Sequence, residues 1–201
     1  LNAKQAYLMA PMIPAFLVPD ANKPITHFRG PSGSGKSSTS KFLKLVLSPE
    51  KTAVKEPLKQ GGNLPNDTDD LKTTCKNSNT LLFDNEKYID GETQDLMCNI
   101  VTGGTFKKRK LYTDSQQVSY QLHNHFILNY ISLSFMQDDF ANRSLLFDLS
   151  RIDEDNTLTD REWKDKARQG YKDIQSLAFE TLSDAFKQSR EDINDLPDAP
   201  G

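Results

Sequence analysis

Cysteine is scarce in this chain: Cys75 and Cys98 are the only two in 201 residues, and they sit far apart. A disulfide-stapled scaffold does not fit that spacing, and a reduced, cytoplasmic setting is expected. A large excess of either charge is also missing. Lys and Arg total 25 against 28 Asp and Glu, a formal net charge of −3, so no bulk positive field points to a polyanionic partner. A local basic patch is still compatible with that balance. Long apolar runs are absent as well. The stretch from Ala6 to Val18 is too short to span a bilayer, contains Pro11 and Pro14, and follows no basic segment of the signal-peptide kind, so no membrane partner is expected. Histidine is limited to three residues, and no Cys, Asp or Glu completes a metal-ligand spacing around His123 and His125, which therefore read as structural. No internal repeat is present. Residue 1 is Leu, so a longer parent protein is expected.

What remains is a chain 36% hydrophobic, long enough for one sizeable core. Residues 3–10 suggest a short helix, and Ile25-Thr26-His27-Phe28 a brief strand. From Ser38 to Val46 the positions of Phe42, Leu43, Val46 and Leu47 suit a helix with one buried stripe, closed by Pro49. Ser48 to Asp70 turns polar and rich in Gly, Pro, Asn and Asp, which reads as connecting structure with a short strand near Thr52 to Val54. Thr80 to Phe83 is a buried strand running into Asp84, and Thr93 to Val101 a helix stopped by Gly103-Gly104. Lys107 to Tyr112 and Val118 to Leu122 suit a hairpin. Phe126 to Asn129 and Leu145 to Leu149 are two more apolar strands, and Asp160 to Gln188 carries apolar residues at helical spacing, as one long helix or two. The expected organisation is a helical lead-in over residues 1–24, a core over 25–150, a helical portion over 151–189 and a frayed acidic tail over 190–201.

Gly30-Pro31-Ser32-Gly33-Ser34-Gly35-Lys36-Ser37 fits the pattern G-x-x-x-x-G-K-[ST] throughout, and Ser38 follows within the same turn. It lies between an apolar strand and an apolar helix, where backbone N–H groups and a positive helix end can cradle phosphate. Lys36 is placed to reach the outer phosphates, and Ser37 to offer its hydroxyl to Mg²⁺. ATP and Mg²⁺ are the expected ligands. Asp84, at a strand's carboxyl end, suits the acid that holds the Mg²⁺ shell, the alternative being a turn or cap carboxylate. Asn85 then stands where many ATPases have a glutamate, which leaves Glu86, one position on, or Asn85 itself to orient the attacking water. Asn129 ends another strand and suits contact with that water or the γ-phosphate, or a plain polar cap. Lys107, Lys108, Arg109 and Lys110, with Tyr112, form the one dense basic cluster, read equally as a nucleic-acid contact or as a solvated edge strand.

The order of these features resembles a known group. A phosphate loop, a strand ending Phe83-Asp84-Asn85, a Thr102-Gly103-Gly104 turn, the string Arg109-Lys110-Leu111-Tyr112-Thr113-Asp114 and Leu128-Asn129 are similar to the AAA+ ATPase module of replication or primase-associated proteins of phages and mobile elements. That group is more distantly similar to superfamily-3 and minichromosome-maintenance helicases. The resemblance implies an α/β P-loop fold with a mostly parallel sheet flanked by helices, an inserted β-hairpin and a small helical C-terminal portion. It further implies that Asn129 is the sensor-1 residue and that Arg143, in Phe140-Ala141-Asn142-Arg143, is an arginine finger acting across a subunit boundary in a homo-oligomer, either a ring or a dimer. A sensor-2 arginine has only Arg161 and Arg168 as weak candidates.

The expectation is thus an ATP-binding, ATP-hydrolysing module that unwinds or remodels DNA during replication of a mobile element. Two rivals stand beside it. One is a kinase transferring phosphate to a small-molecule or nucleic-acid hydroxyl, because the same cradle serves both chemistries. The other is an assembly switch that binds ATP with little turnover.

Overall fold

A computed structural model describes residues 12–18, 21–48, 62–109, 117–153, 155 and 157–194. The expected helix at residues 3–10 and strand at 52–54 lie outside the described residues. After a helical segment over residues 12–17 come β1 (Ile25–Arg29), α1 (Lys36–Leu47), α2 (Thr68–Asn77), β2 (Thr80–Phe83), α3 (Gly91–Val101), β3 (Thr105–Arg109) and β4 (Gln117–Gln121). They are followed by β5 (His125–Tyr130), α4 (Asp138–Asn142), β6 (Ser144–Asp148) and α5 (Asp160–Asn194).

The central sheet is parallel, with strand order β2-β5-β1-β6. Both of its faces are covered, so β2 and β5 are buried along their full lengths, as parallel strands under helices must be. Alternation along each strand sorts side chains between two cores. Phe126, Leu128 and Tyr130 join Leu81, Phe83 and the α3 residues Leu96, Met97 and Ile100 on one side. Ile127, Leu82, Phe28 and Phe147 join Leu43 of α1 on the other. Asn129 is in phase with Ile127, and the strand's period alone therefore turns it toward α1.

β3 and β4 form a separate antiparallel hairpin, with Phe106 opposite Tyr120 and Lys107 opposite Ser119. The strands expected at Ile25, Thr80, Phe126 and Leu145 and the glycine loop fall where the sequence places them, to within a residue or two; the first hairpin strand begins at Thr105, two residues before the expected Lys107, and residues 110–112 of it lie outside the described residues. α2 corrects the reading of the stretch to Asp70 as connecting structure. It begins inside that stretch because Asp67 caps it, accepting a bond from the Asp69 amide, while Asp69, Asp70 and Lys76 suit its dipole and Leu71 and Cys75 bury one turn apart. α3 starts two residues earlier than expected, capped by Asp90, which accepts from the Thr93 amide. α5 is one continuous helix. It packs on α1 through Gly170 beside Phe42 and through the Gln175 amide, which donates to the Val46 carbonyl at 2.7 Å. Away from that seam, Leu177 and Phe186 of its apolar spacing stay 63% and 58% exposed.

Candidate nucleotide site

β1 delivers the chain at its carboxyl end to Gly30, where a side chain has no room. A Cβ there would lie 2.3 Å from the Leu149 carbonyl oxygen and 2.9 Å from the Ser34 hydroxyl. The loop then turns through Gly33 and Gly35, at φ 76° and 78°, in the left-handed region that glycine enters without steric cost. Its backbone is pinned from two sides. The Gly30 amide donates to the Tyr130 carbonyl at 3.3 Å, and the Ile152 amide donates to the Gly33 carbonyl at 3.1 Å. Lys36 is folded over the loop and donates from Nζ to the carbonyls of Gly30 and Pro31 at 2.7 and 2.8 Å.

The start of α1 differs from the start of every other labelled helix. α2, α3, α4 and α5 each carry acidic residues in the first turn. α1 carries none, and Gly35 gives it no side-chain cap. Its first amides have no side-chain cap, and the positive end of the helix dipole favours negative charge there. Ser34 adds a buried hydroxyl with no hydrogen-bond partner. A glycine cradle, an open helix start, a lysine and a spare hydroxyl together fit a nucleotide's phosphates, and Ser37 and Asp84 are oxygen donors of the kind Mg²⁺ takes.

The acid side of the site is tied to the loop by one network. β5 lies between β1 and β2, so Asn129, level with Phe28, stands between the loop and Asp84. Asn129 is fully buried, and its Nδ2 donates to the Ser40 hydroxyl at 2.7 Å and to Asp84 Oδ1 at 3.2 Å. The Ser40 hydroxyl in turn donates to the carbonyls of Lys36 and Ser37 at 2.9 and 3.2 Å. Lys36, Ser37, Asn129 and Asp84 are thus brought together through Ser40. The Asn129 side-chain oxygen has no partner of its own. Asn85, at φ 66°, is the one described non-glycine residue in the left-handed region, where Asn is better tolerated than most. That turn sends Glu86 back across the sheet end. Its amide donates to the Asn129 carbonyl at 3.1 Å, and its Oε1 accepts from the Leu64 amide at 2.8 Å.

Arg143 lies elsewhere. Its carbonyl accepts from the Ile25 amide, at the amino end of β1, about 17 Å from the loop at ~3.3 Å per strand residue. Its guanidinium pairs with Asp139 at 3.0 Å. Arg168 pairs with Asp165 on α5 at 3.7 Å, and Arg161 is exposed. In the hairpin Lys107 and Lys108 are exposed, whereas Lys110 and Tyr112 lie outside the described residues.

Sequence reasoning missed two contributors. Ser40 is a buried polar residue on the otherwise apolar sheet-facing stripe of α1, three positions past Ser37, and that anomaly was its signal. Arg151 follows β6 at its carboxyl end, and its Nε lies 3.9 Å from where a Gly33 Cβ would stand. The rule that parallel sheets gather ligand contacts at strand carboxyl ends marks it.

His27 and His125 are built into the sheet by hydrogen bonds. His27 bonds the Tyr130 hydroxyl at 3.0 Å and the Ser144 hydroxyl at 2.9 Å, and burial pushes its imidazole down to about 3. His125 bonds the Thr26 hydroxyl at 2.9 Å, stacks on Phe16 and is likewise pushed down by burial to about 3. Among the described residues no three His, Cys, Asp or Glu side chains converge as a metal site.

A sequence model of the actinomycete integrative conjugative element replication protein matches residues 2–178. The chain belongs to that family. It is a member of a family of mobile-element replication proteins, and its site is carried on an α/β fold with a central parallel sheet flanked by helices. No curated protein matches this replication protein. Among solved structures it is similar to a JCV helicase with a bound N-aryl acetamide, at 15% identity and a TM-score of 0.43, over 88% of this chain and 55% of the helicase chain. The chain therefore spans about half the length of that helicase. No described helix is long and apolar enough to cross a membrane.

Proposed function

We propose that this replication protein binds ATP and Mg²⁺ at residues Gly30 to Ser38 and hydrolyses the nucleotide as an AAA+ type module that remodels DNA during replication of a mobile element. The observation that carries the reading is the start of α1: alone among the labelled helices it has no acid in its first turn, and Lys36 stands beside it. Lys36 exchanges its two loop carbonyls for phosphate oxygens, gaining charge-assisted bonds in place of neutral ones. Ser37 and Asp84 hold the Mg²⁺, which when bound neutralises charge on the phosphates. Asn129 keeps Asp84 oriented through its Nδ2 and is assigned the contact with the attacking water or the γ-phosphate. Glu86, anchored through one carboxylate oxygen to Leu64, has the other free to accept that water's proton. Arg143 cannot serve its own cradle from the far end of the sheet, and that position supports a finger offered to a neighbouring subunit in a homo-oligomer. Lys107 to Lys110 and Tyr112 are assigned to DNA.

Anchoring of Glu86 and the presence of Asn85 favour one rival, an ATP-controlled assembly switch with little turnover. ATP hydrolysis measured with and without single- and double-stranded DNA, alongside oligomeric mass and with Lys36→Ala as control, separates the two. The motor reading expects an oligomer whose turnover rises with DNA and vanishes in the control. Nucleotide-dependent assembly with negligible turnover would replace it by the switch.

A further inference from the structure

We propose that the groove between α2 and the base of the β3–β4 hairpin is a seat for the phosphodiester backbone of single-stranded DNA, with Lys72 and Lys76 of α2 as contacts alongside Lys107 and Lys108. The floor of the groove is aromatic. Phe106 and Tyr120 face each other across the hairpin, with ring centroids 6.0 Å apart, and both pack against the larger core. Over this floor lie the two α2 lysines, one helical turn apart. The Lys76 ammonium is 3.4 Å from the Tyr120 ring centroid, and that of Lys72 is 6.0 Å from that of Phe106. Cation–π attraction holds these ammonium groups over the rings, so part of the ordering cost of binding an anion is already met. Lys107 and Lys108 line the same groove from β3 and have no ion-pair partner among the described residues.

Among the described residues Asp69 is the single carboxylate lining the groove, and it is bonded to Lys72 at 2.8 Å. Four lysines against one acid leave the described lining with a surplus of three positive charges, in a chain whose net charge is −3. The groove encloses about 250 Å³, below the roughly 300–1,000 Å³ of pockets that engulf a small ligand. It suits a passing strand that lays one or two phosphates on the lysines, more than a ligand to be swallowed whole.

The inference rests on the proposed DNA-directed role and extends it to residues of α2. Its test is fluorescence anisotropy of a labelled oligo-dT with the full chain, titrated at several salt concentrations, for the parent, Lys72→Gln/Lys76→Gln, Lys107→Gln/Lys108→Gln and the charge-keeping Lys72→Arg/Lys76→Arg. Each single-strand phosphate contact contributes about 0.7 to the slope of log affinity against log salt, so losing two lowers the slope by about 1.4 and the affinity at 0.15 M salt by roughly 10–15-fold. Both Gln pairs should show that loss, the Arg pair should retain binding, and melting temperatures should stay close to the parent's. Unchanged affinity in Lys72→Gln/Lys76→Gln, with binding lost in the β3 pair, would overturn the groove and leave the hairpin reading standing. Equal competition by polyglutamate would overturn it in favour of an acidic protein partner. A parent chain that hydrolyses ATP and binds no oligo-dT would overturn it while sparing the nucleotide site.

Discussion

Asn129→Ala isolates the side chain on which the proposed chemistry turns. The substitution removes two donated bonds, at 2.7 Å to Ser40 and 3.2 Å to Asp84. Neither former partner is left without recourse: Ser40 still donates to the carbonyls of Lys36 and Ser37, and half-buried Asp84 can take water instead. The substitution also removes a buried oxygen that has no partner. Losing a neutral and a charge-assisted bond costs about 2–4.5 kcal/mol, and relief of the orphan oxygen, about 1–3 kcal/mol, offsets much of it, for a net near 1 kcal/mol. In a domain of 150–250 residues that lowers the melting temperature by about 2–4 °C. The catalytic loss should be far larger. A preorganised hydrogen-bonding group aimed at the reacting centre contributes about 2.7–4 kcal/mol, or 10²–10³ in rate. Steady-state ATP turnover, a binding titration with a non-hydrolysable analogue and a thermal melt on the same preparation give the three readings. Expected are turnover down at least about 100-fold, affinity within about threefold, and a small melting shift. Unchanged turnover would refute the assignment. So would a collapse of nucleotide affinity or of the melt in proportion to the rate, because Asn129 would then be a structural bolt.

Gly30→Ala should disrupt the cradle, because its Cβ meets a backbone oxygen at 2.3 Å; about 1–3 kcal/mol of overpacking should appear in the melt together with loss of nucleotide binding. Gly62→Ala, with nothing within 4 Å, is the matched control that should change neither. His27 and His125, both held near 3 by burial, take up protons only on unfolding below their ordinary value of about 6.5. Their contribution to stability is complete above that value and lost as pH falls toward 3, at roughly 1 kcal/mol per pH unit each. Thermal melts from pH 7 to 5 should therefore fall by about 10 °C, before carboxylates titrate, and a flat profile would contradict the buried neutral pair. Arg143→Ala should lose about 10³-fold in turnover with little change in stability, since its pair with Asp139 is half-exposed. Mixing it with Lys36→Ala subunits, which keep the finger, should restore activity above that of either variant alone, and no restoration would place the arginine outside the neighbour's site.

The site was legible to the extent that its parts are local in sequence. The loop declares itself because glycine, lysine and serine must stand at fixed intervals to wrap phosphate, and Thr80 to Phe83 and Phe126 to Asn129 read as strands because full burial demands unbroken apolar residues. Even the direction of Asn129 follows from strand alternation. The link that unites them was not legible. Ser40 joins the loop to Asn129 only because strand order inserts β5 between β1 and β2, and strand order is a property of the folded sheet. Arg151 was hidden for the same reason, its approach to Gly33 depending on where β6 ends. α2 was obscured differently: Asp67, Asp69 and Asp70 are turn formers by composition, and they became a cap and first turn because Leu71 and Cys75 had a core to enter. The lysines of the groove could not be paired with the hairpin at all, since Lys72 and Lys107 meet only in three dimensions.

The most direct test of the central claim is a calorimetric titration of ATP with Mg²⁺ into the parent chain and into Lys36→Ala. The account predicts saturable one-to-one binding by the parent, weakened at least tenfold when Lys36 loses its charge. Absence of binding to a folded parent chain, or equal affinity in the two proteins, would contradict it.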